Sequence, residues 1–245
     1  MRAILLAAGL GTRLRPLTDS VPKCLVPIKG VPLLEIWLDK LSDVGTETIL
    51  VNTHYLAAKV VAYVENSNYK HRVEVVYEPH LLGTAGTLMA NLAFFEGYDG
   101  ILAHADNYFH EDLGSLVAAH KMRSPGCVIT MLTFRTETPS TCGIVEVDEL
   151  GVVTGFHEKV MSPPSNLANG AVYLLSSELL ARLPLDWQTP KDFSVDILAT
   201  LVGRIQTYET KKLFLDIGTP SAYVRANMHE KVLFHGTMND LSELS

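Results

Sequence analysis

Residues 3–6 form an apolar run of strand character that empties into a small-residue loop, Ala7-Ala8-Gly9-Leu10-Gly11, followed at once by Arg13 and Arg15 and then by Lys23. A strand that ends in a two-glycine loop and opens an alternating series of strands and helices leaves few folds available. Leu33, Leu34, Trp37, Leu38, Leu41 and Val44 recur at helical spacing, which predicts a helix over 32–44 stopped by Gly45. A strand over 48–52, a helix over 57–65, a strand over 73–77, a helix over 84–95 and a strand over 101–105 follow. This β-α-β-α rhythm implies a parallel sheet with right-handed crossovers. Ligands of such sheets sit at the carboxyl ends of the strands. Gly9 to Arg13, Asn52, Glu78 and Asp106 all fall just past predicted strand ends.

From Cys127 the rhythm changes, with strands expected over 128–134, 144–147, 152–157 and 171–175. The turn Asp148-Glu149-Leu150-Gly151 predicts a hairpin between the second and third of these. They read as a mixed or antiparallel extension of the same sheet. Helices over 177–183 and 195–201, a strand pair over 205–208 and 213–216, a helix from 220 to about 234 and a frayed tail complete the expected order.

The glycines of the first loop let backbone N–H groups crowd around an anion, and the guanidinium and ammonium groups beside them add formal charge. The loop is therefore suited to phosphates, yet it is neither familiar phosphate loop. Leu14 stands where a dinucleotide fingerprint needs its third glycine, and Gly11-Thr12-Arg13 stands where a P-loop needs Gly-Lys-Ser/Thr. At 245 residues and 47% hydrophobic content the chain can bury the core of one α/β domain. A net charge of −7 without any Lys/Arg cluster argues against nucleic acid as a partner. No stretch approaches the ~20 apolar residues of a membrane span. The apolar run behind Arg2 is broken by glycine and followed by arginines, so it reads as a strand and not as a signal peptide. Cys24, Cys127 and Cys142 have no metal-type spacing and fit reduced thiols in a cytoplasmic protein.

The composite of Gly9, Gly11, Thr12, Arg13 and Leu14 with Pro22, Lys23 and Pro27 resembles the signature of the sugar-1-phosphate nucleotidylyltransferases. Further segments match that family in order: Glu78 with Leu82-Gly83-Thr84-Ala85-Gly86, Ala105-Asp106-Asn107, Gly143-Ile144-Val145-Glu146, Glu158-Lys159, Asn169-Gly170, and Asp216-Ile217-Gly218-Thr219-Pro220. The pattern is similar above all to the guanylyltransferases of mannose 1-phosphate and manno-heptose 1-phosphate. His104 and Ala105 depart from it where relatives carry glycine before the aspartate, and Val160 departs where they carry proline.

The resemblance implies an α/β fold, a single Rossmann-like nucleotidyltransferase domain with three α/β/α layers around a mainly parallel sheet with a mixed or antiparallel extension. It would span 1–230, with a C-terminal tail over 231–245 and no left-handed β-helix domain of the kind some relatives carry. The implied reaction transfers a nucleotidyl group, GMP favoured, from a nucleoside triphosphate to a sugar 1-phosphate and releases pyrophosphate. Mannose or a manno-heptose is the favoured sugar. Arg13, Lys23 and Asp106 would be catalytic. Leu6, Ala8, Gly9, Gly11, Thr12, Arg13, Lys23, Asn52, Glu78, Gly83, Thr84 and Ala85 would meet the nucleotide, and Asn107, Gly143, Glu158, Lys159, Asn169 and Gly170 the sugar phosphate. Mg²⁺ would be held by Asp106 and Asp216, since this ion favours carboxylate and phosphate oxygens and keeps several waters. A Glu78 carboxylate could accept two hydrogen bonds from the N1–H and 2-amino group of guanine. The partners expected are GTP, a sugar 1-phosphate and a second copy of the chain in a homodimer.

Other readings stay open at this point. A uridylyl- or thymidylyltransferase would share most of the pattern. A cytidylyltransferase acting on a non-sugar phosphate would share the opening loop but not Glu158-Lys159 or Asp216-Ile217-Gly218, and a catalytically silent regulatory subunit would be expected to lose Arg13, Lys23 or a metal aspartate. The histidines at 54, 71, 80, 110, 120, 229 and 235 form no ligand-like cluster and most read as surface residues, Trp37 reads as core, and the segment Asp192 to Asp196 resembles one of the family but is equally explained by helix capping at Asp192 or Ser194. No serine or cysteine carries a nucleophile motif.

Overall fold

β1 (Arg2–Leu6) is the axis of the fold, and its apolar residues run consecutively because both faces of a central parallel strand are covered: Ala3, Ile4 and Leu5 are fully buried. The computed structural model describes residues 1–228, so the expected tail and the end of the last predicted helix lie outside the described residues. After β1 come the short strands β2 (Pro27–Ile28) and β3 (Val31–Pro32), then α1 (Leu33–Asp43), β4 (Ile49–Thr53), α2 (Ala57–Glu65), β5 (Val73–Tyr77), α3 (Thr84–Ala90) and β6 (Gly100–His104). The second half adds β7 (Asn107–Phe109), α4 (Leu113–Lys121), β8 (Ile129–Arg135), β9 (Gly143–Val147), β10 (Val153–Glu158), β11 (Leu167–Leu175), α5 (Ser177–Asp186), β12 (Ile205–Glu209), β13 (Phe214–Asp216) and α6 (Pro220–Met228).

One nine-stranded sheet runs through the molecule in the order β10-β9-β11-β6-β1-β4-β5, with β8 pairing β11 and β12. β1 lies parallel to β4 and to β6, and β4 parallel to β5, so four strand ends open on the same side. β11 runs antiparallel to β6 and carries the sheet over into the β9-β10 hairpin. One core face is built on Trp37, Leu38 and Leu41 of α1 with Leu116 of α4, and the other on Leu88 of α3, Leu179 and Leu183 of α5 and Phe193. The expected three-layer α/β class is therefore present. No helix among the described residues is long and apolar enough to cross a membrane.

Some local expectations change. The strands expected as a pair near 205 and 213 do not pair with each other: β12 lies parallel to β8, and β13 lies antiparallel to β7. The helix α4 was absent from the sequence reading because its buried face is sparse, only Leu113, Leu116 and His120. Its cap is clear in the structure, where Asp112 accepts from the Gly114 N–H at 2.9 Å. His120 is accordingly a core residue and not a surface one, with Nδ1 2.8 Å from Thr130 Oγ1. The helix expected over 84–95 stops at Ala90, and a 3₁₀ turn over Leu92–Phe95 follows. The 195–201 helix is a π-turn, Phe193–Ile197, capped by Asp192 and continued by a 3₁₀ turn, Leu198–Leu201.

Candidate functional site

The ends of β1, β4, β5 and β6 surround a cleft of about 280 Å³. Leu6, Ala8 and Gly9 of the first loop line it, together with Lys23, Asn52, Glu78, Gly83 and Thr84. A second cleft of about 420 Å³ lies over the antiparallel strands and is lined by Asn107, Gly143, Glu158, Lys159, Asn169 and Gly170, with Arg13 and Asp216. The two clefts share Thr84, His104 and Asp106. Residues from Leu6 to Asp216 thus border two adjoining clefts.

The junction is a charge cluster. Lys23 stands in a 3₁₀ turn, Lys23–Leu25, and its side chain is 11% exposed. The ammonium is hydrogen-bonded to Asp106 and lies 3.6 Å from Asp216 Oδ1, while Arg13 comes within 4.0 Å of Asp216 Oδ2. Asp216 reaches this point through the pairing of β13 with β7, which sets it opposite Asn107, and through the Ile217 N–H donating to the Asp106 carbonyl at 3.0 Å. Burial alone would raise the Asp106 carboxyl, but the adjacent Lys23 charge wins and holds it below the usual range. Asp216 goes the other way: burial and the Asp106 charge raise it, against Lys23 and Arg13. A Cβ at Gly218 would come within 2.8 Å of Arg13 Nη2 and 3.0 Å of Asp216 Oδ1, so a larger residue there would push the Arg13 and Asp216 side chains aside.

A divalent cation fits this donor set. No group of three or more His, Cys, Asp or Glu is arranged to hold a metal among the described residues. The two carboxylates that converge on the Lys23 ammonium supply two oxygen donors, and Mg²⁺ commonly takes only one or two from protein and the rest from phosphate and water.

In the first cleft the polar groups are tied to one another. Asn52 Oδ1 accepts the Ala7 N–H at 2.7 Å, and Asn52 Nδ2 donates to Glu78 Oε1 at 2.9 Å. Glu78 is buried, so it is not a solvated side chain at the start of a helix. Gly83 has φ +81 and touches the chain so closely that a Cβ would lie 2.4 Å from the Lys191 carbonyl, and Thr84 Oγ1 accepts the Phe193 N–H at 2.7 Å. Cys24 also borders this cleft, but burial pushes its thiol up to about 12, which removes it as a nucleophile.

In the second cleft glycine and a bulge make the room. A Cβ at Gly143 would come within 2.6 Å of Glu158 Oε2, so only glycine lets that carboxylate lie across the strand. Glu158 Oε1 is 2.9 Å from Lys159 Nζ, and this hydrogen bond raises the Lys159 ammonium above its usual range. The register of β11 shifts between Asn169 and Tyr173, with Ala171 at φ +50. Asn107 Nδ2 donates to the Gly170 carbonyl at 2.8 Å, and Asn169 Nδ2 to Tyr173 Oη at 2.8 Å.

Three sequence-predicted site residues border neither cleft. Gly11, at φ +65, turns the first loop and accepts from Thr18 Oγ1 at 2.7 Å; Thr12 is exposed in the next 3₁₀ turn; Ala85 is buried, with its N–H on the Lys191 carbonyl at 3.0 Å. The sequence reading missed His104 as a shared wall residue, Thr87 in the first cleft and the stacked pair Phe134 and Phe214, 4.2 Å apart, in the second. Only His104 carried a signal, as the departure beside Asp106. Asp192 does cap a turn, and it also borders the second cleft.

Comparisons with known proteins show the family and the fold. A family model described as nucleotidyl transferase matches residues 2–232. A mannose-1-phosphate guanylyltransferase of Mycobacterium tuberculosis is 30% identical over 92% of this chain and 63% of its own length. A D-glycero-alpha-D-manno-heptose 1-phosphate guanylyltransferase of Campylobacter jejuni is 27% identical over 91% of this chain and 97% of its own. The crystal structure of HddC from Yersinia pseudotuberculosis complexed with GMP-PN superposes with a TM-score of 0.75 at 25% identity, covering 92% of this chain and 97% of that one. Adenylyl- and uridylyltransferases of glucose 1-phosphate match at 28% and 29% identity. The chain spans 60–63% of the length of several mannose-1-phosphate relatives it matches. With a match that takes in every described residue except Met1, the chain belongs to the nucleotidyl transferase family.

Proposed function

We propose that the chain joins a sugar 1-phosphate to a nucleoside triphosphate, forming a nucleotide-sugar and releasing pyrophosphate. The observation that carries this is the junction: Lys23, Asp106, Asp216 and Arg13 meet where a cleft for one ligand opens into a cleft for another. A phosphate oxygen of the sugar 1-phosphate attacks the α-phosphorus in line; the new P–O bond forms as the α–β bridging bond breaks, and the electron pair leaves with pyrophosphate. The task of the site is then to position two anions and to neutralise their charge. Lys23 and Arg13 do this from the triphosphate side, helped by backbone N–H groups around Gly9. Glu158 accepts sugar hydroxyls, and Lys159 orients the attacking phosphate. Asp106 and Asp216 would hold Mg²⁺, which would supply positive charge to screen the phosphate oxygens. GTP with mannose or a manno-heptose 1-phosphate is the favoured pair, supported by the names of the Mycobacterium and Campylobacter relatives and the GMP-PN complex of HddC. The three free cysteines suit a reducing compartment, and we read the protein as cytoplasmic.

The test is a matrix of nucleoside triphosphates against sugar 1-phosphates, read by pyrophosphate release. The expected maximum is GTP with a manno-configured sugar, abolished by EDTA and restored by Mg²⁺. A maximum with UTP or dTTP moves the base assignment, full activity in EDTA removes the metal, and no release from any pair removes the activity itself.

A further inference from the structure

Glu78 lies deep in the wall of the first cleft, 3% exposed, and its hydrogen-bond partners are all neutral. Thr87 Oγ1 donates to Oε1 at 2.6 Å, and Asn52 Nδ2 donates to the same oxygen at 2.9 Å. Oε2 accepts only the Leu82 N–H, at 3.2 Å. A carboxylate oxygen has two lone pairs, so Oε1 is fully used and the acceptor capacity left to a ligand is on Oε2. The Thr87 hydroxyl is the centre of this arrangement. It is 1% exposed, it donates to Glu78, and it accepts from Asn52 Nδ2 at 3.1 Å. Asn52 in turn takes the N–H of Ala7, the first residue after β1. One hydroxyl on α3 therefore links the exits of β1, β4 and β5.

We propose that Thr87 is a positioning residue for nucleotide recognition. With Asn52 it withholds Oε1 of Glu78 from the ligand, so that the carboxylate meets a nucleobase through Oε2 alone, and it fixes the backbone at the start of the Gly9 loop. This rests on the reading of the first cleft as the nucleotide site. The consequence departs from the two-bond contact expected of Glu78: the carboxylate reads a single donor, a ring N–H, and not the ring N–H and 2-amino group of guanine together. Guanine and hypoxanthine share N1–H and differ in the 2-amino group, so they separate the two cases.

The experiment measures Kd by calorimetry for GTP, inosine triphosphate and UTP on the full chain, as wild type, Thr87→Val and Thr87→Ser, and the KM for sugar 1-phosphate in each. Wild type should hold GTP and inosine triphosphate within about threefold, whereas a second base contact would separate them by about 10-fold or more. Thr87→Val removes the hydroxyl at constant shape and should weaken inosine triphosphate by about 10-fold, the loss of one hydrogen bond to a charged group, with the sugar 1-phosphate KM unchanged; GTP should lose less, because the Oε1 lone pair that Thr87 occupied is opened to the 2-amino group. Thr87→Ser should restore binding. A role in packing alone predicts instead a lower Tm in Thr87→Val with wild-type nucleotide affinity, and that result overturns the proposal, as does wild-type binding of GTP more than about 10-fold tighter than inosine triphosphate. Should Thr87→Val not fold, Thr87→Ala carries the same comparison. Where UTP binds tightest, the three proteins are compared on UTP. Failure of the underlying reading looks different: no nucleoside triphosphate binds the wild type.

Discussion

The two clefts are walled by opposite halves of one sheet and solve different problems. The first, at the ends of the parallel strands, is lined away from the Lys23 cluster by backbone, apolar side chains, Asn52 and threonine hydroxyls, and the carboxylate of Glu78 there accepts from neutral donors only. The second, over the antiparallel strands, presents the Glu158 and Lys159 pair, with side chains 25% and 66% exposed, on a surface bent by a bulge. Fixed dipoles in a buried wall discriminate by hydrogen-bond pattern, because an unmatched polar group there stays unpaired. Part-exposed charges are screened and instead attract and orient a ligand that brings its own charge. Under the proposed function this is a division of labour, one half reading the base and the other handling charge, with the Lys23 cluster between them.

The strongest way to break this comparison is at the shared cluster. Lys23→Met is expected to lower kcat/KM by about 100- to 1000-fold with the circular dichroism of the fold unchanged, because charge stabilisation at a transferring phosphoryl group is worth several kcal/mol. Near-normal turnover would show that one cleft alone neutralises the phosphates.

The second prediction contrasts the buried polar groups of the two halves. Behind the antiparallel strands, His120 on α4 is 2% exposed, and its Nε2 has no hydrogen-bond partner among the described residues. Burial, with some help from Arg123, pushes the imidazole down to about 4. The fold therefore holds His120 neutral, while the unfolded chain takes up a proton below about pH 6.5. Stability is full above that pH and is lost progressively as the pH falls toward 4, by up to about 3 kcal/mol from this residue. Urea unfolding at pH 7 and pH 4.5 measures it, and His120→Gln should flatten the difference; an unchanged pH dependence in that variant would place the loss elsewhere.

The smallest effect sharpens the division itself. Glu158→Gln should raise the KM for sugar 1-phosphate by about 10-fold, the loss of a charged acceptor, and leave the nucleotide KM within about twofold. Equal shifts in both would mean that the clefts act as one.

Much of the first cleft was legible in the sequence. Leu6, Gly9, Asn52, Glu78 and Asp106 sit at or just past strand ends, and in a parallel sheet those ends share one side, so a one-dimensional pattern predicts a shared place in space. The glycine at 83 announced a turn before α3, which it makes at φ +81. Thr87 carried no signal, since a threonine inside a helix is ordinary until the carboxylate it holds is brought beside it. α4 was hidden by its sparse apolar face, and Phe134 and Phe214 carried no signal in the sequence.

What the sequence determined by itself was the identity of the elements and the chemistry they carry: strand runs, helical spacing, the glycine loop with its cations, and the carboxylates and lysines that match a family. Only the tertiary structure decided which of these meet. β13 pairs with β7 and not with its neighbour β12, and that choice, with the Ile217 N–H on the Asp106 carbonyl, carries Asp216 to Lys23 and Asp106. β11 breaks register at Asn169 and so opens the second cleft. The physical reason is that strand propensity and hydrophobic period are properties of adjacent residues. A strand's partner, by contrast, depends on which edge the rest of the packed sheet leaves open.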